Sequence, residues 1–242
     1  ILAACTPAPT AEPIYVTQIV EGTPQVVVIT ATPAPVEPEP AEMKVLRLNM
    51  GPGDIPTLDP ALGTDTSSIQ IIWETHLGLA RQDEVTNEVQ PGIAESWDIS
   101  EDGKVYTFHI RPDIYWVKYN GTEVVQVLDC EGNPRTVKAQ DFYYGILRTL
   151  APATASQYAY VLGFALAGAA DYNNGVTDDP ATVGVKVIDD LTLEMTFIDA
   201  AAYNAAIAGM WVAAAQPQWL IEGDDCTEAR GDRWTETGFH QS

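Results

Sequence analysis

The sequence predicts a mixed α+β fold in which β-hairpins and helices are interleaved, with no repeated strand–helix–strand unit. Two observations carry this prediction. Strand-like runs flank the turn dipeptides Asp102-Gly103 and Asp189-Asp190, which indicates two hairpins. Between these hairpins, apolar residues recur at helical spacing. A length of 242 residues and a hydrophobic content of 46% suffice for one large folded domain or two small ones.

Each predicted element rests on its own pattern. The strands, most of which alternate apolar and polar residues, are 44–50, 93–99, 105–110, a hairpin within 120–137, 183–188 and 191–197. The helices are 67–78, 139–150, 156–172 and 200–214. Ser67 or Ser68 is the expected N-cap of the first helix. The last helix is predicted from its alanine content alone.

The first 42 residues differ from the rest in composition. Ile1 to Cys5 resembles a bacterial lipobox, in which a signal peptide is cut before the cysteine and the cysteine is acylated. Because the chain starts at isoleucine rather than methionine, we expect that upstream residues have been removed. Residues 6–42 are rich in proline and threonine and predict a disordered tether that holds a domain away from a membrane. The alternatives are an ordinary cysteine and a disordered tail without that role.

The charge and the missing motifs exclude several functions. Lys plus Arg is 12 and Asp plus Glu is 34, and the resulting net charge of −22 repels nucleic-acid phosphates. No apolar run reaches the roughly 20 residues of a membrane-spanning helix. The histidines, His76, His109 and His240, do not stand at metal-ligand spacing with one another or with a cysteine. Without a nucleophile motif or a phosphate-binding loop, we expect no catalysis, no cofactor and no metal.

The cysteine count predicts a disulfide. If Cys5 carries lipid, Cys130 and Cys226 remain as an even pair in an oxidising compartment. The alternative is two unpaired thiols in loops.

Six short segments stand in a fixed order along the folded part. They are Leu58-Asp59-Pro60, Pro91 to Trp97, Tyr106 to Arg111, Ala139 to Phe142, Asp190 to Glu194, and Trp234-Thr235. Each alone has little specificity, but the ordered set resembles the solute-binding proteins of peptide-type ABC transporters, the oligopeptide- and dipeptide-binding family. The resemblance covers about residues 44–239.

This resemblance implies a clamp of the periplasmic-binding-protein type, whose two lobes close on a peptide and present it to a membrane permease and its ATPase. Family members are longer, so residues 43–242 are expected to form the first lobe, with the second lobe missing. Thr64, Asp65 and Thr66 align with a strand that pairs with the ligand main chain. Tyr158 aligns with a cleft-lining tyrosine, although packing against a neighbouring side chain is an equally open alternative. The implied protein is a monomeric, extracytoplasmic, lipid-anchored lipoprotein.

The chain departs from the family at three places within its length. Residues 120–137 are longer than the usual connection there, and residues 200–214 are richer in alanine than expected. The helix at 139 normally begins with a threonine cap. Lys138 has no acceptor oxygen, so a capping contribution of ~1 kcal/mol is lost unless Thr136 substitutes.

Other functions stay open beside peptide import. Within the same family, the ligand would be a nickel complex, a sugar or haem instead of a peptide. A surface adhesion or scaffold lipoprotein would share the lipobox, the tether and the acidic domain. A hydrolase is disfavoured because no nucleophile–base signature is present.

Overall fold

This computed structural model describes residues 14–20, 23–29, 49–50 and 53–236. The chain divides into two compact units, residues 1–49 and residues 50–242. In the first unit, β1 (Ile14–Val20) pairs with β2 (Thr23–Ile29) as an antiparallel hairpin.

This first hairpin differs from the predicted tether, whose prolines argue against regular pairing. Both strands are rich in valine, isoleucine or threonine, which favour strands, and Pro24 is the second residue of β2, near the end of the strand, where proline is tolerated. The rest of the tether, the lipobox with Cys5 and residues 44–48 of the predicted first strand lie outside the described residues. The tether and the lipid anchor therefore stay predictions.

The described residues of the second unit contain eight strands and six α-helices. The strands are β3 (Ala80–Gln82), β4 (Val89–Pro91), β5 (Ala94–Ile99), β6 (Val105–Ile110), β7 (Val117–Tyr119), β8 (Val124–Gln126), β9 (Val185–Asp189) and β10 (Thr192–Thr196). The helices are α1 (Thr66–Thr75), α2 (Ala139–Leu150), α3 (Ala159–Ala165), α4 (Ala169–Asn173), α5 (Asn204–Ala208) and α6 (Gln218–Ile221). Single turns of 3-10 helix cover Pro152–Thr154, Pro180–Thr182, Trp211–Ala213 and Gly231–Arg233. No helix among the described residues is long and apolar enough to cross a membrane.

A four-stranded antiparallel sheet with the strand order β5-β6-β10-β9 is the centre of this unit. The hairpins predicted around Asp102-Gly103 and Asp189-Asp190 are both confirmed, and they join each other through β6 and β10. Phe108 lies opposite Leu193, and both are fully buried. The sheet therefore has one apolar face that helices must cover.

Helix α2 packs on this sheet and begins and ends at the predicted residues. Its Phe142, Ile146 and Leu150 are fully buried, and their four-residue spacing puts them on one helix face. Burying each such side chain contributes about 1.5–3 kcal/mol. The side chain of Lys138 makes no capping hydrogen bond, but the Asp141 carboxylate accepts one from the Lys138 backbone N–H at 2.9 Å.

The predicted helix at 156–172 is split into α3 and α4. The helical path ends at Leu166, which has an extended backbone and forms a bridge with Phe197, and Gly168, the N-cap of α4, has a positive φ of 69° that glycine tolerates. The backbone of Thr182 also occupies the space where a side chain at this position would begin.

The predicted helix at 200–214 is wrong for most of its length, because only Asn204–Ala208 is α-helical. Tertiary contacts override the helix propensity of alanine here. The backbones of Gly78 and Gly209 touch, and Leu79 donates its N–H to the Ala208 carbonyl at 3.2 Å. Alanine and glycine are small enough to permit this close approach.

The hairpin predicted within 120–137 is present but starts earlier, because β7 and β8 pair around a turn at 120–123. We call residues 114–137 the arm. Its ends are also paired, since Val137 donates its N–H to the Ile114 carbonyl at 2.8 Å. A disulfide joins Cys130 of the arm to Cys226, with a Cα–Cα distance of 5.4 Å, as the cysteine count predicts.

Candidate ligand-binding site

The residues predicted to contact the ligand main chain lie at the start of α1. Asp65 is the N-cap, and its Oδ1 accepts a hydrogen bond from the Ser68 backbone N–H at 2.9 Å. Hydrogen bonding to Ser68 lowers the pKa of Asp65 below its ordinary value. The prediction of a serine cap is wrong, because α1 begins at Thr66 and an aspartate one residue earlier caps it equally well. Ser67 instead donates its hydroxyl to the Met50 carbonyl at 2.9 Å.

Thr64 and Thr66, on either side of Asp65, are exposed. The segment is not in a strand, but Asp65 has an extended backbone, with φ −99° and ψ 157°. Because an extended backbone can pair with another extended chain, this conformation suits the predicted main-chain contact.

Tyr158 occupies the N-cap position of α3 and is half-buried. Its ring centroid lies 5.3 Å from that of Trp211 at an interplanar angle of 70°, and 5.8 Å from that of Tyr160. Part of the Tyr158 ring therefore packs against neighbouring side chains, as the alternative to a ligand contact predicted. The other part is exposed, as a ligand-binding side chain requires.

Tyr158 belongs to a larger cluster that we call the aromatic surface. Its members are Trp73, Tyr158, Tyr160, Phe164, Tyr203 and Trp211. The ring of Trp73 packs edge-on against Trp211 at a centroid distance of 5.4 Å. Trp73, Tyr160, Phe164 and Tyr203 each expose more than half of their surface. Contiguous exposed apolar patches of this kind mark binding sites on soluble proteins.

Helices α1 and α3 and the segment 203–211, which contains α5, hold these rings in place. Tyr160 and Phe164 are four residues apart on α3 and therefore share a helix face. Phe164 lies 6.5 Å from Tyr203, which precedes α5. Trp73 is seven residues after Thr66 on α1, a distance of ~10 Å along the helix axis. The segment 64–66 therefore lies at the start of α1, and Trp73 near the end of the same helix contacts Trp211, which in turn contacts Tyr158.

Sequence reasoning missed five members of the aromatic surface. One signal was available in α3, where Tyr160 and Phe164 are four residues apart among the buried Val161, Leu162 and Ala165. An aromatic pair on the face opposite to the core indicates a binding surface. No local pattern relates Trp73 to Trp211, since they are 138 positions apart (211 − 73).

The chain segments that carry the aromatic surface contain no positive side chain of lysine or arginine. They are residues 53–80, 149–185 and 187–229, and all three contain aspartate or glutamate. Glu74 is exposed and directly follows Trp73. These segments contribute only negative charge, apart from any protonation of His76.

A buried ion pair ties together the segments beneath this site. Arg148 of α2 binds the fully buried Asp59 through two hydrogen bonds, Nη1 to Oδ1 at 2.9 Å and Nη2 to Oδ2 at 2.8 Å. Arg148 also donates to Gln216 Oε1 at 2.8 Å, and Trp234 donates its indole N–H to Asp59 at 2.9 Å. The network fixes the loop before α1 and the segment after Trp211 against one helix. The local sequence pattern at Leu58-Asp59-Pro60 indicates only a turn.

A concavity of about 1420 Å³ lies between the arm and residues 74–77 and 215–235. It exceeds the ~300–1,000 Å³ of a typical small-molecule pocket. His76 lines it, and burial lowers the pKa of His76 to about 4, so the ring is neutral at pH 7. Arg135 of the arm lies 4.3 Å above the ring of Trp219, another lining residue.

Metal binding has one candidate cluster among the described residues, Cys130, Asp224 and Cys226. The two sulfurs are bonded to each other, so neither is a thiolate ligand. His109 lies on the sheet with its Nε2 2.8 Å from Asp98 Oδ2. His240 lies outside the described residues.

Comparison with known proteins identifies the family of this chain. Residues 88–240 match the family described as "Bacterial extracellular solute-binding proteins, family 5 Middle". The chain belongs to this family. The predicted resemblance and the mixed α+β fold of a periplasmic-binding-protein type are therefore confirmed.

Relatives of this chain differ in their named ligands. "Periplasmic oligopeptide-binding protein OppA" of Escherichia coli (strain K12) is 33% identical over 202 residues, which are 82% of this chain and 32% of the relative. "Probable deoxycholate-binding periplasmic protein YgiS" of the same strain is 35% identical over 156 residues, 64% of this chain and 26% of the relative. The crystal structure of "Haemophilus influenzae OppA complex with RPPGFSPFR" matches with a TM-score of 0.62 and 28% identity, over 76% of this chain and 32% of that chain. The chain thus spans about a third of the length of such relatives.

Proposed function

We propose that this solute-binding protein binds oligopeptides outside the cytoplasm and delivers them to the permease and ATPase subunits of an ABC importer. The observation that carries the proposal is the exposed aromatic surface, which contains the predicted ligand residue Tyr158, in a chain of this family. The Haemophilus influenzae OppA complex with RPPGFSPFR supports the same ligand class.

The proposed binding mode divides recognition between two elements. In the segment of Thr64, Asp65 and Thr66, Asp65 offers an extended backbone to the ligand main chain, while its carboxylate remains engaged in capping α1. The aromatic surface, including Tyr158, receives ligand side chains. Main-chain recognition is common to all peptides, whereas the side-chain surface adds selectivity. Because the chain spans about a third of its relatives, we propose that further ligand contacts come from residues outside it.

No covalent bond is made or broken in this role, and no cofactor or metal takes part. The protein acts as a monomer whose ligand affinity and permease contact together determine transport. Calorimetry of the full-length protein against a mixed peptide library tests the proposal. Heat of binding that saturates is expected, and no heat with any peptide would refute the peptide ligand.

A non-peptide ligand is the second candidate, and the relative named for deoxycholate favours it. An exposed aromatic surface also suits a flat apolar ligand. Deoxycholate is therefore titrated in parallel with the peptide library. Saturable heat from deoxycholate alone would support this candidate and count against peptides.

Membrane attachment is proposed to run through Cys5. An acylated cysteine at the start of a proline-rich tether would hold the binding domain near the permease, and stable attachment needs more than one acyl chain. Mass spectrometry of the N-terminal peptide from bacterial membranes is expected to show diacylated or triacylated Cys5. Substitution Cys5→Ala should release the protein from the membrane fraction, and retention there would contradict the anchor.

A further inference from the structure

We propose that the aromatic surface is a subsite for a cationic side chain of the bound peptide, arginine in preference to lysine. The inference rests on the proposed function and specifies which peptides bind at that site.

The first support is the fixed arrangement of the rings. Trp211 is only 6% exposed, and it contacts both Trp73 and Tyr158. Trp73 is therefore an exposed ring that packs directly on a core residue, and Tyr160 packs on Tyr158, which contacts the same core residue, so binding costs little side-chain ordering. Tryptophan and tyrosine faces attract cations within about 6 Å of the ring centroid.

The second support is the absence of an internal cation on the segments that form the surface. Residues 53–80, 149–185 and 187–229 contain no lysine or arginine, although the chain has 12 elsewhere. Arg135 of the arm covers the ring of Trp219 in α6 at 4.3 Å, which shows that an aromatic ring of this chain takes a guanidinium partner. The segments of the aromatic surface contribute several carboxylates and no lysine or arginine of their own, while Lys104, from outside them, donates its Nζ to the Ile198 carbonyl at 2.7 Å.

These two supports together favour a cation over a neutral apolar side chain. A neutral side chain would gain only the contact with the rings, whereas a cation gains that contact, the attraction of the ring quadrupole and the attraction of the carboxylates on these segments. Arginine is preferred because its guanidinium is planar, stacks on aromatic faces and is more weakly hydrated than an ammonium group.

Citrulline gives the sharpest test, because it has nearly the shape of arginine without the charge. An alanine pentapeptide series carries arginine or citrulline at each position in turn, and calorimetry measures binding to the full-length protein. At one position or more, the arginine peptide should bind about 5- to 30-fold more tightly than its citrulline partner. The preference should persist in part at high salt, since a direct ring contact is screened less than a distant charge.

Variants locate the effect. Trp73→Leu is expected to reduce the arginine-to-citrulline ratio to about 2-fold or less, as the quadrupole contact is lost. Tyr119→Leu is the matched control, because Tyr119 is an exposed aromatic residue of the arm at 62% exposure, and it should leave the ratio unchanged.

The outcomes separate the inference from the function on which it rests. Binding of peptides without preference for arginine, or a preference that survives Trp73→Leu, overturns the cationic subsite and leaves peptide binding intact. Equal weakening of both peptides by Trp73→Leu also overturns it, because apolar contact would then explain the surface. A lowered Tm with an unchanged ratio would show that the surface packs against another part of the chain. No heat with any peptide overturns both proposals.

Discussion

Asp59 connects segments that are far apart in the sequence. Its carboxylate accepts hydrogen bonds from Arg148, from the indole of Trp234 and from the backbone N–H of Ala61. Because Asp59 is fully buried, its charge depends on these donors. The segment Leu58-Asp59-Pro60 helps to identify the family, and the structure supplies the physical role of its central residue.

Removing Arg148 should therefore destabilise the fold strongly. In Arg148→Met, a similar volume remains but Asp59 keeps only neutral donors, so the free energy of unfolding should fall by about 3–5 kcal/mol. Asp190→Asn is the control, since Asp190 pairs with Lys138 at 2.8 Å on the exposed surface and should change stability by about 1 kcal/mol or less. Urea unfolding measures both, and equal effects of the two substitutions would show that the Asp59 network adds little.

Asp141 and His76, whose pKa values desolvation shifts in opposite directions, make opposite contributions to the pH dependence of stability. Burial raises the pKa of Asp141 to about 6, so the native state binds more protons than the unfolded state between about pH 4 and pH 6. The free energy of unfolding therefore falls as pH rises through this window. His76 has its pKa lowered to about 4, binds fewer protons in the native state, and makes stability rise with pH over about the same range.

Asp141→Asn separates these contributions. The asparagine oxygen can still accept hydrogen bonds from the Lys138 N–H and the Trp116 indole, but it does not titrate in this range. Relative to the wild type, the variant should gain about 1.4 kcal/mol of stability per pH unit between pH 4 and pH 6. Chemical unfolding at half-unit pH steps measures this difference, and parallel curves for the two proteins would contradict it.

Helices and strands could be predicted from the local sequence pattern wherever the tertiary packing requires the same structure that the pattern favours. The residues of α2 and of both central hairpins alternate or repeat as the sheet-and-helix core requires, and their positions were predicted closely. The prediction of a helix at 200–214 was wrong because the backbone there contacts Gly78 and Leu79. These residues are far away in the sequence, so alanine content cannot predict the contact. The aromatic surface was missed for the same reason, because Trp73, Tyr158 and Trp211 meet only in three dimensions.

Gly145, within the correctly predicted helix α2, is also constrained by residues that are distant in the sequence. A side chain added there would run into the Ala214 carbonyl and meet Gln216, whereas one added at Gly163 of α3 would find Ala170 at an ordinary 3.7 Å. Alanine normally stabilises a helix by about 1 kcal/mol over glycine. Gly145→Ala should nevertheless destabilise by about 1–3 kcal/mol, because overpacking exceeds the gain in propensity.

Gly163→Ala is the matched control, since it should be neutral or stabilising by up to about 1 kcal/mol. Thermal and urea unfolding compare the two variants directly. A stabilised Gly145→Ala protein would show that the 214–216 segment moves away from α2 at little cost.

At the scale of the whole molecule, the Cys130–Cys226 bond and the acidic surface act on properties that no single element has. The bond joins residues 96 positions apart, and in the chain-entropy model a loop of this size stabilises by about 4–5 kcal/mol. The net charge of −22 favours solubility and raises the encounter rate with cationic ligands. Both features suit an oxidising extracytoplasmic environment, which is the proposed location.

Ligand affinity should depend on more than this chain. The relatives are about three times as long, and we propose that the rest of the protein supplies the opposing wall of a clamp. Residues 43–242 alone should therefore bind peptides at least 100-fold more weakly than the full-length protein, since one wall leaves most of the ligand in water. Calorimetry compares both proteins with the same peptide, after circular dichroism and a cooperative melt have shown that the shorter chain is folded. Equal affinities would place the whole binding determinant on the aromatic surface and the segment 64–66, and would contradict the clamp.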